Sequence, residues 1–351
     1  MKNILFIADI CERGTTQQAI LLARGNCSIL GNSSFFACIN KHLANPKMLQ
    51  RMQNEFGYEN ICIYQNQQEL SNFITQNKID FVYFISDGKE NVPIVFEPLL
   101  YHAVFTTKYK QGTIYASISN WLNQYYHTDY PVLPHIVENF KGIQKDGTII
   151  RKKLGISQNS IVFGCYGGKT SFNIPFVKEI VAKVPEKRSD IHFLFMNHEK
   201  FCTLPNVHFL PGSIDLTEKA QFIDSCTGML HARADGETFG LAVGEFSTRN
   251  KPVITYKPGV FHYMVSIFFR VLRKLRLGKF LPVEFLGLRP LDTYAMAHLE
   301  YCYKAIAYTS KKDLKRILLN FEDYYNPNEN YDCYSERFSE ENVMKIFKEF
   351  L

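Results

Sequence analysis

Residues Met229–Tyr256 read MLHARADGETFGLAVGEFSTRNKPVITY, and within them two glutamates, Glu237 and Glu245, stand with seven residues between them. The apolar start predicts a strand, Asp235-Gly236 a turn, and Thr238-Phe239-Gly240-Leu241 the opening of a helix. A strand, a turn, a Glu and a helix start in that order form a place where free backbone N–H groups face an anion. Pro252–Tyr256 predicts the next buried strand, so the stretch is one repeat of an open α/β sheet.

Working outward, the same alternation occurs twice. In the first half, apolar runs at Asn3–Ile10, Ser34–Ile39, Asn60–Tyr64 and Asp80–Ile85 are separated by helical composition at Gln17–Arg24, Pro46–Glu55 and Gln67–Gln76. Ligands of such sheets sit beyond the carboxyl ends of the strands. Gly14, Thr15 and Thr16 after the first run are therefore candidate contacts, the alternative being a plain strand-to-helix turn capped by Thr. Pro98–Phe105 is a β-like run holding His102 among apolar residues, and Ile114–Trp121 predicts a strand and a helix start. A lone His in such a run is a core residue or a ligand contact; spacing alone leaves both open.

Pro131 and Pro134 suit an extended crossing segment, and the polar, turn-rich Asn139–Thr148 predicts the linker between domains. The second half opens with Arg151–Ile156 and a strand at Ser160–Phe163, followed by Gly164-Cys165-Tyr166-Gly167-Gly168-Lys169-Thr170. Gly168-Lys169-Thr170 imitates the end of a phosphate loop, but Phe163 stands where its first Gly belongs, so a looser Gly-rich diphosphate contact is expected. Strands at Ile191–Met196 and Asn206–Leu210 and a helix at Thr217–Cys226 lead back to the opening stretch. Asp292–Phe321 reads as helical. In the tail Ser339 caps a last helix, with Phe338 and Val343 positioned as a staple.

Composition narrows the function. With 351 residues, 46% apolar and 21% charged, the chain buries large cores in about two domains. A net charge of +6 suits an anionic ligand or surface and falls short of a dedicated nucleic-acid binder. Nine cysteines without a C-x-x-C pair suggest reduced thiols in a cytoplasmic setting. The run MKNILFIADI reaches Asp9 too soon for a signal peptide. Val260–Phe285 carries Arg270, Arg273, Lys274, Arg276 and Lys279 behind an apolar decade, so residues 260–280 are a candidate contact with an anionic membrane surface, or else an amphipathic helix packed on the second domain.

The run from Glu237 to Glu245, continued by Lys251-Pro252-Val253-Ile254, resembles the Glu, seven residues, Glu signature of retaining GT-B glycosyltransferases of the family-four type. Pro134–Val137, Arg151–Ile156, the Gly-rich loop and Asn206–Pro211 fall where that family has matching segments; Arg13–Thr16 and His102 match more weakly. The resemblance implies an α/β fold of two Rossmann-like, doubly wound domains facing a cleft, with a C-terminal helix returning to the first. The expected divisions are 1–140 on the acceptor side, 141–330 for the nucleotide sugar, and 331–351 for the helix.

It also implies an enzyme, a hexosyl- or other glycosyltransferase, that moves sugar with retention from a nucleotide-sugar donor to a glycan, glycolipid or lipid-linked acceptor. No cofactor, metal or nucleic acid is expected, and the place is cytoplasmic or peripheral on the inner face of a membrane. By the resemblance Glu245 meets ribose hydroxyls, Glu237 approaches the sugar ring, and the N–H groups of Thr238, Phe239, Gly240 and Leu241 meet the donor. Gly167 and Gly168 contact the diphosphate, Lys169 and Arg233 neutralise it, His231 assists, and His102 contacts the sugar. Cys165 stands where many members carry a phosphate-binding Arg. An epimerase or phosphorylase of the same architecture, and a non-catalytic donor-binding subunit, are the alternatives.

Overall fold

The structure, a computed structural model, describes residues 1–43, 45–89, 91–259, 264 and 294–351. It divides into two units, Met1–Val137 with Ser335–Leu351, and Glu138–Tyr334.

The first unit is a six-stranded parallel sheet, built from β1 (Asn3–Ile7), α1 (Gly14–Ser28), β2 (Ser33–Ile39), α2 (Pro46–Phe56), β3 (Ile61–Tyr64), α3 (Gln67–Gln76), β4 (Phe81–Ser86), β5 (Leu99–Ala103), β6 (Ile114–Ser117) and α4 (Asn120–Tyr126). The strand order is β3-β2-β1-β4-β5-β6. All six residues of β4 and all five of β5 are buried, as strands covered on both faces must be. Helices α2, α3 and α4 start where short polar side chains satisfy their first N–H groups: Asn45, Asn66 and Ser119 accept from Met48, Glu69 and Leu122.

The second unit repeats the design with α5 (Thr148–Leu154), β7 (Ile161–Tyr166), α6 (Pro175–Lys183), β8 (Ile191–Met196), β9 (Val207–Leu210), α7 (Leu216–Ser225), β10 (Gly228–His231), β11 (Gly236–Glu237), α8 (Leu241–Thr248), β12 (Val253–Tyr256), β13 (Ala295–Met296), α9 (Ala297–Tyr301), β14 (Ile306–Tyr308) and α10 (Lys311–Leu319). Its parallel sheet has the order β14-β12-β10-β7-β8-β9, and β11 pairs with β13 beside it. The tail forms α11 (Glu340–Lys348), capped by Ser339, in the first unit; its Phe347 ring lies 5.8 Å from that of Tyr83 in β4.

Three sequence expectations change. The turn-rich stretch after residue 139 belongs to the second unit, because Phe140 is buried with its ring 6.0 Å from the Lys219 ammonium and 5.7 Å from the Arg249 guanidinium. β7 continues through Gly164 and Cys165 to Tyr166, so Cys165 is a buried strand residue and burial pushes its thiol pKa up. Within Asp292–Phe321 the described part is not one helix: α9 ends at Tyr301, and Ile306–Tyr308 adds β14 to the sheet beside β12. The basic segment 260–280 lies outside the described residues. Among the described residues no helix is long and apolar enough to cross a membrane.

Candidate functional site

β10 delivers His231 to the carboxyl edge of the second sheet, in register with Thr255 of β12. The chain turns through Arg233–Asp235 into β11, where Gly236 has φ +64°. A Cβ there would stand 1.9 Å from the Ala295 carbonyl oxygen, so only glycine permits this pairing of β11 with β13. The pairing sets Glu237 opposite Met296.

Glu237 is then held from two sides. Arg233 Nη1 donates to Oε2 at 2.9 Å, and His231 Nε2 lies 3.4 Å from Oε1. Burial by itself would raise this carboxyl; the Arg233 charge and the His231 contact outweigh it and bring the pKa down to about 2. Behind His231, Nδ1 is 2.8 Å from Thr255 Oγ1, and that hydroxyl is 3.1 Å from His298 Nε2 on α9. The two imidazoles are 4.9 Å apart between centroids, and burial lowers His298 to about 3, so it is neutral.

After Glu237 the chain reaches α8 through Gly240, whose φ is +93° and where any side chain would crowd α9, a Cβ meeting the His298 Cβ at 2.9 Å. α8 has no side-chain cap and no acid in its first turn, leaving its leading N–H groups available to an anion. Thr238 and Leu241 are half-buried here, but Phe239 is a core residue, its ring 5.3 Å from Tyr301 and 6.1 Å from Tyr334. Further along α8, Glu245 is 2% exposed and lies 2.9 Å from the Lys219 ammonium of α7. Burial, with the Glu138 carboxylate adding to it, pushes Glu245 well up, while Lys219 supplies the opposing charge. Lys219 also lies 5.2 Å over the Tyr166 ring, and the buried Tyr166 hydroxyl has no hydrogen-bond partner among the described residues.

The loop after β7 meets the loop after β10 through Asn173, whose N–H donates to the Ala232 carbonyl at 3.0 Å and whose Oδ1 accepts from Ala234 N–H at 2.7 Å. Gly167 is half-buried, and Gly168 and Lys169 are exposed. The Gly168 carbonyl accepts from Ser171, and α6 begins only at Pro175, so no helix follows Lys169-Thr170 as a phosphate loop requires. Lys169 and Arg233 are thus carried on two loops tied to each other by Asn173.

The remaining sequence candidates belong to the first unit. Gly14 is exposed and Thr15 half-buried at the start of α1. Arg13, without a side-chain hydrogen bond, is the cap, and Thr16 instead tightens the turn by donating to the Asp9 carbonyl at 2.8 Å and accepting from Cys11 N–H at 3.3 Å. His102 is 0% exposed in β5, its Nδ1 2.7 Å from the Tyr83 hydroxyl, and burial lowers it to about 3. It is a buried residue of β5. Lys219, Thr255 and His298 are not visible as site residues in the sequence, since each joins the site from an element distant in the chain. Among the described residues no cluster of His, Cys, Asp and Glu has a metal-holding arrangement.

No protein-family model and no curated protein matches the sequence. Solved structures do match in shape. HepE of Anabaena in complex with UDP and glucose aligns with a TM-score of 0.68 at 13% identity over 99% of both chains. A glycosyltransferase from Rickettsia africae aligns at 0.58 and 14% over 99% of this chain and 98% of that one. WaaG, a glycosyltransferase involved in lipopolysaccharide biosynthesis, aligns at 0.53 and 15% over 90% of this chain and 100% of that one. Together with the two all-parallel, helix-flanked sheets, these likenesses establish that the chain has the two-domain, Rossmann-like GT-B fold.

Proposed function

We propose that the chain is a glycosyltransferase, moving a sugar from a nucleotide-sugar donor to a hydroxyl of a glycan or lipid-linked acceptor with retention of configuration and without a metal. The observation that carries this reading is Glu237, an ionised carboxylate fixed by Arg233 and His231 at the mouth of an uncapped helix, eight positions before the buried Glu245. Binding of UDP by HepE supports a nucleoside diphosphate as the leaving group.

In this reading the ribose hydroxyls donate to Glu245 and the sugar hydroxyls to Glu237, each carboxylate acting as acceptor. The diphosphate meets the leading N–H groups of α8, with Arg233 and Lys169 balancing its charge. The bond from the anomeric carbon to the phosphate oxygen breaks with its electron pair left on the diphosphate. The acceptor oxygen bonds to the same carbon from the same face, and its proton passes to the departing phosphate. Residues 260–280 are assigned to an anionic membrane surface on sequence alone; sedimentation with anionic vesicles, before and after neutralising Arg270, Arg273 and Lys274, tests that assignment.

Thermal shift with UDP-, GDP- and dTDP-sugars identifies the donor, because a ligand of the native state raises apparent stability. Glu245→Gln should remove the shift and the release of nucleoside diphosphate while leaving the protein folded. Wild-type turnover in that variant sinks the assignment, and an isomerised donor recovered without acceptor would indicate an epimerase instead.

A further inference from the structure

We propose that Thr255 and His298 are positioning residues for Glu237: acting through His231, they hold its imidazole so that Nε2–H always faces the carboxylate. The proposal rests on the reading of Glu237 as the carboxylate that receives the donor's sugar.

One chain of contacts fixes where the protons lie. Glu237 is ionised and only accepts, so His231 Nε2, 3.4 Å away, must carry a hydrogen. In a neutral ring Nδ1 is then bare and takes the Thr255 hydroxyl proton across 2.8 Å. Thr255 has a single proton, so its oxygen accepts from His298 Nε2–H across 3.1 Å. That leaves His298 Nδ1 bare, and this atom has no hydrogen-bond partner among the described residues. Every donor in the sequence His298, Thr255, His231 therefore points toward Glu237.

The backbone carbonyl of Glu237 acts on the His298 ring and would favour a proton on the side away from Thr255. In a chain of neutral rings that order ends with a bare His231 Nε2 against the carboxylate, two acceptors facing each other, and Nδ1 of His298 makes no hydrogen bond in return. Water cannot repair a broken link, since His231 is 4% exposed and Thr255 and His298 are 0% exposed. The three residues come from β10, β12 and α9, and α9 follows directly on β13, the strand that places Glu237. One local structure thus sets both the carboxylate and the far end of its support.

The test compares turnover with the state of the ring. Thr255→Val keeps the shape and removes the hydroxyl; we expect turnover at saturating donor to fall about tenfold or more, by analogy with the outer partners of metal-ligating histidines, with donor KM within about twofold. Thr255→Ser should restore most of it. In 15N imidazole spectra, wild-type His231 should be the Nε2–H form with its Nδ1 resonance shifted by the Thr255 hydrogen bond, and in Thr255→Val that resonance should move to the position of an unbonded ring nitrogen. His298→Gln, whose amide N–H takes the place of Nε2–H, should keep turnover within about threefold, and His298→Leu should match Thr255→Val. Wild-type turnover in Thr255→Val or His298→Leu, or an unchanged Nδ1 resonance in Thr255→Val, overturns the proposal, as does a Ser variant no better than Val. The spectra stand without any assay, so a protein that transfers no sugar can still show the positioning. Full activity in Glu237→Gln would refute the functional reading and not the ring geometry.

Discussion

The Lys219 ammonium lies 2.9 Å from the Glu245 carboxylate, joining α7 to α8 where the acid side chain is 3% and the lysine side chain 15% exposed. A buried pair of this kind adds little net stability, but breaking it from one side leaves a charge without partner or water. Lys219→Met should therefore cost about 3 kcal/mol, measured by urea unfolding. The double variant with Glu245→Gln should cost clearly less than the sum of the single changes. Simple additivity would show that the two side chains do not interact in solution.

Arg233 outweighs the burial of Glu237, so removing it should release the carboxyl upward. An acid held down to about 2 in the folded protein is ionised throughout the neutral and mildly acidic range. In Arg233→Met the acid limb of the activity profile should move to higher pH, and turnover at neutral pH should fall by about two orders of magnitude, the size seen when a charge-stabilising group is lost. An acid limb that stays in place would mean that His231 alone holds the charge.

Much of this arrangement is legible in the sequence, and the reason is local. Ile191–Met196 and Gln67–Gln76 coincide at both ends with β8 and α3, because their apolar patterns are bounded by polar turns and, for α3, by the Asn66 cap. Glu237 and Glu245 are readable as a pair because both lie on one strand-to-helix connection. Their supports are not. Lys219 precedes Glu245 by 26 residues, and His298 meets Thr255 across 43. Such contacts follow from sheet order, which no local spacing encodes. β14 escapes a sequence reading because three residues, Ile306–Tyr308, carry too little pattern to stand out beside α10. For His102 the apolar run tells of a buried strand but not of the partner of its Nδ1, which is the Tyr83 hydroxyl 19 residues earlier.

Gly236 gives a sharp test of how Glu237 is placed. At φ +64°, with the Ala295 carbonyl oxygen 1.9 Å from where a Cβ would stand, Gly236→Ala faces both strain and a collision with backbone. The β11–β13 pairing should open, and Glu237 should leave the reach of Arg233 and His231. We expect loss of donor-dependent turnover and a stability loss of about 2 kcal/mol or more, since backbone in this region alone costs on the order of 1–3 kcal/mol. A variant with wild-type activity and melting temperature would mean that the pairing does not set the site.

Four buried histidines make the fold sensitive to mild acid. Burial lowers His102 and His298 to about 3 and His198 to about 4, and places His135 well below the ordinary value. Each is neutral in the folded chain but takes up a proton when unfolded below about pH 6.5. The unfolded state then binds more protons, so this stability is fully present above that pH and is lost as pH falls toward the folded values. The loss should approach about 1.4 kcal/mol per pH unit for each histidine. Glu237 works in a lower window, its depressed pKa costing stability only below about 4.5, while Glu245, pushed up by burial, takes up its proton first in the folded chain and so offsets part of the histidine loss in the second unit. His102 and His135 belong to the first unit and His198 and His298 to the second, so if the units unfold separately both transitions should weaken. Urea midpoints at pH 7.5, 6 and 5 measure the slope, and His102→Gln should flatten it for the first unit alone. Midpoints independent of pH over this range would mean that these rings are protonated, or reached by water, in the folded protein.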